Sequence, residues 1–246
     1  MKISGKLVLL SLAIFALAGC RSSATAAAQA ASFTVSQNGH AVGTASYKFT
    51  GVSGGYASTS LVNVSMKGLN YALSKDEQLN SASHLKQAVL SGTVNGSAVN
   101  VIAKPDAAQY LLNISANGRS STTRLTSHSA AVLLPDFDPG ALQTLLVLAV
   151  EQNNRDLWAI VPKEQGSIQP IQLATYPDQK GTLNGKAVNV HHLVATINGA
   201  HTDLFSSQEN ELMQAELPSE GFALVRSGFV LTPPAKPIAP PTPPAQ

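Results

Sequence analysis

Five Asn-Gly dipeptides constrain the fold of this chain more than any other feature of its sequence. They lie at 38–39, 95–96, 117–118, 184–185 and 198–199, each between β-prone runs. Asparagine and glycine tolerate the positive φ angles of a type I′ turn, and this turn matches the twist of paired strands. Each dipeptide therefore predicts a tight hairpin, and together they predict an antiparallel meander.

The hairpin at 95–96 predicts a specific register. A two-residue turn pairs Val94 with Ser97, Gly92 with Val99, Leu90 with Val101 and Ala88 with Ala103. These pairs form a mainly apolar face, whereas the intervening pairs are mainly polar. This alternation is typical of a sheet with one face in the core and the other in water.

Further β-prone runs predict about a dozen more strands. They occupy 33–37, 42–49, 61–67, 69–74, 110–116, 120–127, 157–161, 168–175, 187–197, 202–206, 212–216 and 222–231. The sequence thus predicts a mainly β fold, in which a large curved antiparallel sheet forms a half-barrel-like meander.

One segment departs from the strand pattern. Asp138 followed by Pro139 has the order of a helix N-cap and first helical residue, and the run that follows predicts a helix over 139–152. Its leucines and valines surround most of the helix circumference. A helix that is apolar nearly all round is expected to be buried, so we expect it to fill the curved sheet.

The N-terminus has the order of a bacterial export signal. Lys2 and Lys6 precede an apolar run at 7–17, which is shorter than a bilayer-spanning helix. The residues Leu17-Ala18-Gly19-Cys20 then resemble a lipobox. This resemblance implies cleavage after residue 19, lipid attachment to Cys20 and anchoring in the cell envelope, and Arg21 favours the outer membrane, facing the periplasm.

Composition sets the domain boundaries. Residues 1–19 are the predicted signal peptide, and 20–31 are small and polar, which predicts a lipidated, flexible tether. A single β-rich domain is expected over 32–231, because all-β folds of this length are commonly one unit. The segment 232–246 is rich in proline and is predicted to be a disordered spacer.

Charge and cysteine content exclude several classes of site. A net charge of +2 and a charged fraction of 12% leave no basic stripe for nucleic acid. Because Cys20 is the one cysteine and lies in the lipobox, the domain has no disulfide and no cysteine-based metal site. We predict no cofactor.

Ser53 lies in a formal match to the hydrolase motif G-x-S-x-G, at 51–55. That motif presents its serine on a strand-to-helix turn. Here another β-prone run follows, so a glycine-rich hairpin loop is the favoured interpretation over a nucleophile.

Two further groups of polar residues raise the question of chemistry. A turn at 198–199 places His192, His201 and Asp203 on one face of a hairpin, with His191 adjacent, and such side chains can bind a metal ion. The apolar residues of this hairpin lie on its opposite face. We therefore favour a solvated face over a metal site. Asp136 and Asp138 could form an acid–base pair, yet a polar turn and a helix cap explain them better. The sequence therefore predicts no enzyme.

The lipobox, the meander and the inserted helix together resemble the lipoprotein-localisation (LolA/LppX-type) half-barrel group over residues 32–231. That resemblance implies a curved sheet over an apolar helix, with a cleft for acyl chains. Few aromatic residues are available to line a cleft, and the proline-rich tail is not part of that pattern.

Two functions follow as hypotheses. In the first, a noncatalytic domain binds a lipid or another apolar molecule between sheet and helix, or holds an envelope protein there. The expected walls are Leu142, Leu145, Leu146, Leu148 and Trp158. In the second, the same residues are ordinary core, and the domain is an assembly scaffold anchored to the membrane through Cys20.

Overall fold

The computed structural model describes residues 28–163 and 165–233. This part of the chain is mainly β, with one large, open, curved sheet and a single helix, which confirms the predicted fold class. The predicted signal peptide, the lipidation site Cys20 and residues 234–246 of the tail lie outside the described residues.

Nine strands precede the helix. The first eight form a continuous meander, and the ninth is short. They are β1 (Gln29–Gln37), β2 (His40–Val52), β3 (Gly55–Met66), β4 (Leu69–Asn80), β5 (Leu85–Val94), β6 (Ser97–Asp106), β7 (Gln109–Ala116), β8 (Arg119–Thr126) and β9 (Ala130–Leu133).

The helix α1 (Pro139–Glu151) is followed by seven more strands. They are β10 (Leu157–Val161), β11 (Ser167–Leu183), β12 (Lys186–Ile197), β13 (Ala200–Ser206), β14 (Leu212–Leu217), β15 (Phe222–Arg226) and β16 (Phe229–Leu231). The strand order is β8-β7-β6-β5-β4-β3-β2-β1-β15-β14-β13-β12-β11-β10-β9, with β16 added beside β11. Two meanders are thus joined where β1 pairs with β15.

All five Asn-Gly dipeptides form turns in which both residues have positive φ. At Asn95 and Gly96 the φ angles are 50° and 79°. The predicted register of this hairpin is confirmed, with Leu90 opposite Val101 and both side chains buried. Turn chemistry therefore sets these strand pairings locally.

The sheet rolls so that its last strands lie inside the curve. Val132 of β9 packs in the cluster around α1, whereas its neighbour Leu133 packs in a second cluster with β4 to β8. The side chains of β10 also alternate between the two clusters, since Ala159 faces α1 and Ile160 faces the second cluster. The pair β9–β10 is therefore covered on both faces.

This double burial explains why β9 was missing from the sequence prediction. All four of its residues are buried, so they show no alternation of polar and apolar side chains. Strand β9 also pairs in parallel with β10, which departs from an entirely antiparallel sheet.

Two predicted boundaries are corrected. The run 222–231 is two strands, because Gly228, at a φ of +79°, makes a turn between β15 and β16. Strand β1 begins at Gln29 rather than at residue 33, and Ala31, expected in the tether, pairs with Tyr47. Small residues add little core volume, but their backbone groups extend the ladder.

The helix matches its prediction to within one residue and is buried as expected. Asp138 is its N-cap and accepts hydrogen bonds through Oδ1 from the backbone N–H groups of Gly140, at 2.8 Å, and Ala141, at 3.1 Å. The helix packs against β2, β3, β9, β10 and β14. Its polar residues Gln143 and Thr144 are also buried, so the surrounding sheet must provide their hydrogen-bond partners.

Candidate functional site

A partly open cavity of about 280 Å³ lies at the end of the roll where α1 begins. Its walls come from the segment between β9 and α1, from Leu142 of α1, and from β10 to β15 with the loops between them. The lining residues are Leu134, Pro135, Asp136, Phe137, Asp138, Leu142, Val161, Lys163, Ser167, Gln169, Ile197, Asn198, Ala200, Thr202, Leu217, Glu220 and Leu224. Nine of these 17 residues are apolar. Asp136, Lys163 and Glu220 are at least partly exposed and supply the charges at the mouth, whereas Asp138 is buried.

The segment before α1 is held rigidly beside the cavity. Phe137 has a φ of +58°, which is strained for a bulky side chain. Its ring contacts Phe222 at a centroid distance of 4.4 Å, and the Tyr71 hydroxyl donates to the backbone oxygen of Asp136 at 3.1 Å. These contacts fix the cavity wall. Burial of the Tyr71 hydroxyl also raises its pKa far above the usual value.

Asp136 and Lys163 form an ion pair at the cavity mouth, with 3.0 Å between Oδ1 and Nζ. Both side chains are partly exposed. Partial burial acts to lower the pKa of Lys163, but its hydrogen bond to Asp136 and the charges of Asp136 and Glu220 raise it overall. The mouth therefore presents an ammonium group flanked by two carboxylates.

The structure places one of the five predicted wall residues at this cavity. Leu142 lines it, whereas Leu145, Leu146 and Leu148 are each 1% exposed and are enclosed in the core around α1. Trp158 lies elsewhere, where its ring stacks on His128 with 3.5 Å between centroids and its Nε1 donates to Asp156.

A second group of polar residues, which the sequence interpretation missed, lies buried beside the first turn of α1. Lys75, Glu77 and Asp138 are each at most 2% exposed, and we call them the buried triad. The Nζ atom of Lys75 lies 3.2 Å from Glu77 Oε2 and 3.4 Å from Asp138 Oδ2, and it donates to the backbone oxygen of Leu133 at 3.4 Å. The triad thereby connects β4, β9 and α1.

The charges of the buried triad support one another. Burial acts to lower the pKa of Lys75, but the charges of Asp138 and Glu77, together with the hydrogen bond to Glu77, outweigh the effect of burial, so that the pKa is raised. Thr144 of α1 donates to Glu77 Oε2 at 2.9 Å. An isolated buried ammonium would be costly, and these partners make it tolerable.

Close packing surrounds the triad on the sheet side. A Cβ atom added at Gly140 would lie 2.9 Å from the Cβ of Ser60 and 3.2 Å from the Oγ of Ser58. Only glycine therefore lets the first turn of α1 approach β3 so closely. Within the described residues, the Oγ atoms of both serines, Glu77 Oε1 and Asp138 Oδ2 have no hydrogen-bond partner.

A signal for the triad does exist in the sequence. Leu73, Lys75, Glu77 and Leu79 alternate along β4 and all four are buried, so the two charged residues are in phase with the core face. The predicted strand 69–74 ends before Lys75, so it does not include this pattern. The cavity left no such signal, because its residues come from four separate connections and the residues that flank them.

The histidine face forms pairs rather than a cluster. His192 Nε2 lies 2.7 Å from Asp203 Oδ1, whereas His201 contacts Thr196 and His191 contacts Asp178. The predicted register from 198–199 is confirmed by the pairing of β12 with β13. Among residues 28–163 and 165–233, no three potential metal-ligating side chains come together.

The remaining candidates from the sequence are Ser53 and the carboxylate pair Asp136 and Asp138. Ser53 is exposed in the turn between β2 and β3, and a strand, not a helix, follows it. Asp136 is at the cavity mouth, whereas Asp138 is buried in the triad, so the two carboxylates have different surroundings.

Comparisons with protein-family models, curated proteins and solved structures found no match. No helix in the described part of the chain has the length and apolar character needed to cross a bilayer.

Proposed function

We propose that this chain is an envelope lipoprotein, anchored through Cys20, whose β domain holds the apolar tail of an amphiphile in the cavity beside α1. The observation that carries this proposal is the cavity itself, which has apolar walls and a charged mouth. Ligand pockets commonly have this character, with many apolar groups and a few placed polar groups.

The size of the cavity limits the ligand. Ligand pockets commonly measure about 300–1,000 Å³, so a volume of about 280 Å³ is at the small end. It suits one short alkyl chain or the end of a longer chain. Each methylene group that leaves water contributes about 0.8 kcal/mol to binding.

The mouth favours a zwitterionic head group. Lys163 supplies a cation, and Asp136 and Glu220 supply carboxylates. A phosphate can therefore contact the ammonium group while a ligand amine contacts a carboxylate, and such charge-assisted contacts are stronger than neutral ones.

The position of the cavity also suits an anchored carrier. The turn after β1 lies at the cavity end, where Asn38 N–H donates to the Gly221 oxygen beside Glu220. Gln29 begins β1 at the opposite end, about 30 Å away for nine residues of extended chain. The cavity thus lies at the end of β1 that is far from Gln29 and the residues leading to Cys20, which would favour exchange with a partner over exchange with the anchoring membrane.

A scaffold without ligand is the second candidate, and the enclosed leucines favour it. Leu145, Leu146 and Leu148 make most of α1 ordinary core. The two functions differ in whether the remaining cavity binds anything.

A calorimetric titration with short-chain phosphatidylethanolamine, below its micelle concentration, separates these functions. The full chain with Cys20→Ser allows the measurement without detergent. Thr202→Trp fills the cavity and should weaken binding at least about tenfold, a change of roughly 1.4 kcal/mol. Thr59→Trp is the matched control, because Thr59 is exposed on β3 and does not line the cavity. Equal affinity in both variants, or no binding by the folded parent chain, would contradict the proposal.

A further inference from the structure

The buried triad contains the groups needed to form an amide bond. Lys75 supplies an amine, Asp138 a carboxyl group, and Glu77 a second carboxyl group that can carry protons. Forming the amide releases water. All three side chains are at most 2% exposed, so bulk water is excluded from the triad.

The amine and the carboxyl group are in direct contact. Lys75 Nζ lies 3.4 Å from Asp138 Oδ2, one of the two oxygens bonded to the carbon that the amine would attack. This contact lacks hydrogen-bond alignment, and Oδ2 has no hydrogen-bond partner among the described residues. The amine is therefore beside a carboxylate oxygen that nothing else holds.

The helix N-terminus activates the carboxyl group of Asp138. Its Oδ1 accepts two backbone N–H hydrogen bonds, from Gly140 at 2.8 Å and from Ala141 at 3.1 Å. Two such donors stabilise the negative charge that develops on a carbonyl oxygen under attack, and the helix dipole adds to the effect. Oδ1 thus occupies an oxyanion hole, which leaves Oδ2 as the departing oxygen.

Glu77 is placed to move protons. Its Oε2 atom lies 3.2 Å from Lys75 Nζ and accepts a hydrogen bond from Thr144. Its Oε1 atom has no partner in the described part of the chain. The carboxylate can therefore accept a proton at one position without losing a hydrogen bond at the other.

We propose that Lys75 and Asp138 condense autocatalytically into an intramolecular amide, with Glu77 as the proton carrier. Glu77 takes one proton from the Lys75 ammonium, and the Nζ lone pair attacks Cγ of Asp138. A bond forms between Nζ and Cγ, and the bond between Cγ and Oδ2 breaks. The ammonium gives up two protons in all, Glu77 relays both to Oδ2, and this oxygen leaves as water. Glu77 returns to its initial state, and no oxidant or co-reactant is needed.

The crosslink would tie β4 to the N-cap of α1 and close the chain between residues 75 and 138. Closing a long loop restricts the unfolded chain, as a disulfide does. The described domain has no cysteine, so this amide would be its covalent brace.

Tryptic digestion of the full chain tests the proposal. If the amide forms, trypsin cannot cleave after residue 75, and segment 68–86 remains joined to segment 125–155. Mass spectrometry should find this branched peptide with a mass one water below the sum of its two segments. Separate peptides 68–75 and 76–86 in full yield from the folded chain would overturn the proposal.

Three variants isolate the roles of the triad. Lys75→Arg keeps a cation but removes the nucleophilic amine, and Asp138→Ser keeps a helix cap but removes the carboxyl group, so neither should give the branched peptide. Glu77→Gln should slow its formation by about a hundredfold or more. Formation at the wild-type rate in Glu77→Gln would overturn the role of Glu77. If a variant fails to fold, the result for the wild-type chain still decides whether the amide exists.

Discussion

The replacement Leu145→Ala measures how completely α1 is enclosed. Leu145 is 1% exposed and lies in the cluster that β1, β2, β3 and β9 form around the helix. The change removes three carbon atoms, and at about 0.8 kcal/mol per methylene the lost transfer free energy is about 2.4 kcal/mol. The closed surroundings also leave an unfilled cavity. The free energy of unfolding should therefore fall by about 3–4 kcal/mol, within the usual range for buried leucines.

Leu142→Ala is the matched comparison on the same helix. Leu142 borders the existing cavity of about 280 Å³, so its removal enlarges an open space and creates no new closed one. We expect a loss of about 2.4 kcal/mol, because mainly the transfer term applies.

Urea unfolding of both variants provides the assay, with midpoint and slope measured together. An unchanged slope shows that the unfolded states are comparable. A loss below about 1 kcal/mol for Leu145→Ala, or equal losses in the two variants, would refute the placement of α1 between a closed core and an open cavity.

Three further perturbations test other parts of the structure. Cys20→Ser should move the chain from the membrane fraction to the soluble fraction, and unchanged membrane association would contradict the lipid anchor. Gly96→Val places a β-branched residue at a φ of +79° and should reduce stability by more than about 1 kcal/mol, which a thermal melt checks; an unchanged midpoint would contradict the turn assignment. Raising the pH from about 9 to about 11 should lower the urea midpoint. The folded state holds a proton on Tyr71 through the raised pKa of its hydroxyl, whereas the unfolded chain releases this proton from about pH 10 upward. A midpoint that rises over this interval would show that the sign is wrong.

The hairpins could be predicted from the sequence because their determinants are local. Asn95-Gly96 sets its turn and register within a few residues, and Asp138-Pro139 marks the start of the helix in the same way. Propensity and turn chemistry act at short range, so a single sequence contains enough information for these elements.

The rolling of the sheet could not be predicted in this way. It depends on β9 and β10 being covered on both faces, and such strands have no polar face to reveal their register. The long β11–β12 hairpin also contains a register shift between Tyr176 and Gln179. The cavity is lined by residues from four connections that come together only in the folded chain, which is why Leu142 was identified and Lys163 was not.

The buried triad was missed for a different reason. Charged residues are rarely buried unless they are paired, so Lys75 and Glu77 do not count as core residues by residue type alone. Their pairing partner Asp138 is more than 60 residues away in the chain, and its role as a helix cap appeared to explain it fully.

The most direct test of the proposed function is to identify what the cavity holds in the cell. The full chain with Cys20→Ser, purified without detergent, would be extracted with organic solvent and analysed by lipid mass spectrometry. The proposal predicts about one amphiphile per chain, which the cavity-filling Thr202→Trp removes and the surface control Thr59→Trp retains. Folded protein that carries no amphiphile, or the same amount in both tryptophan variants, would contradict it.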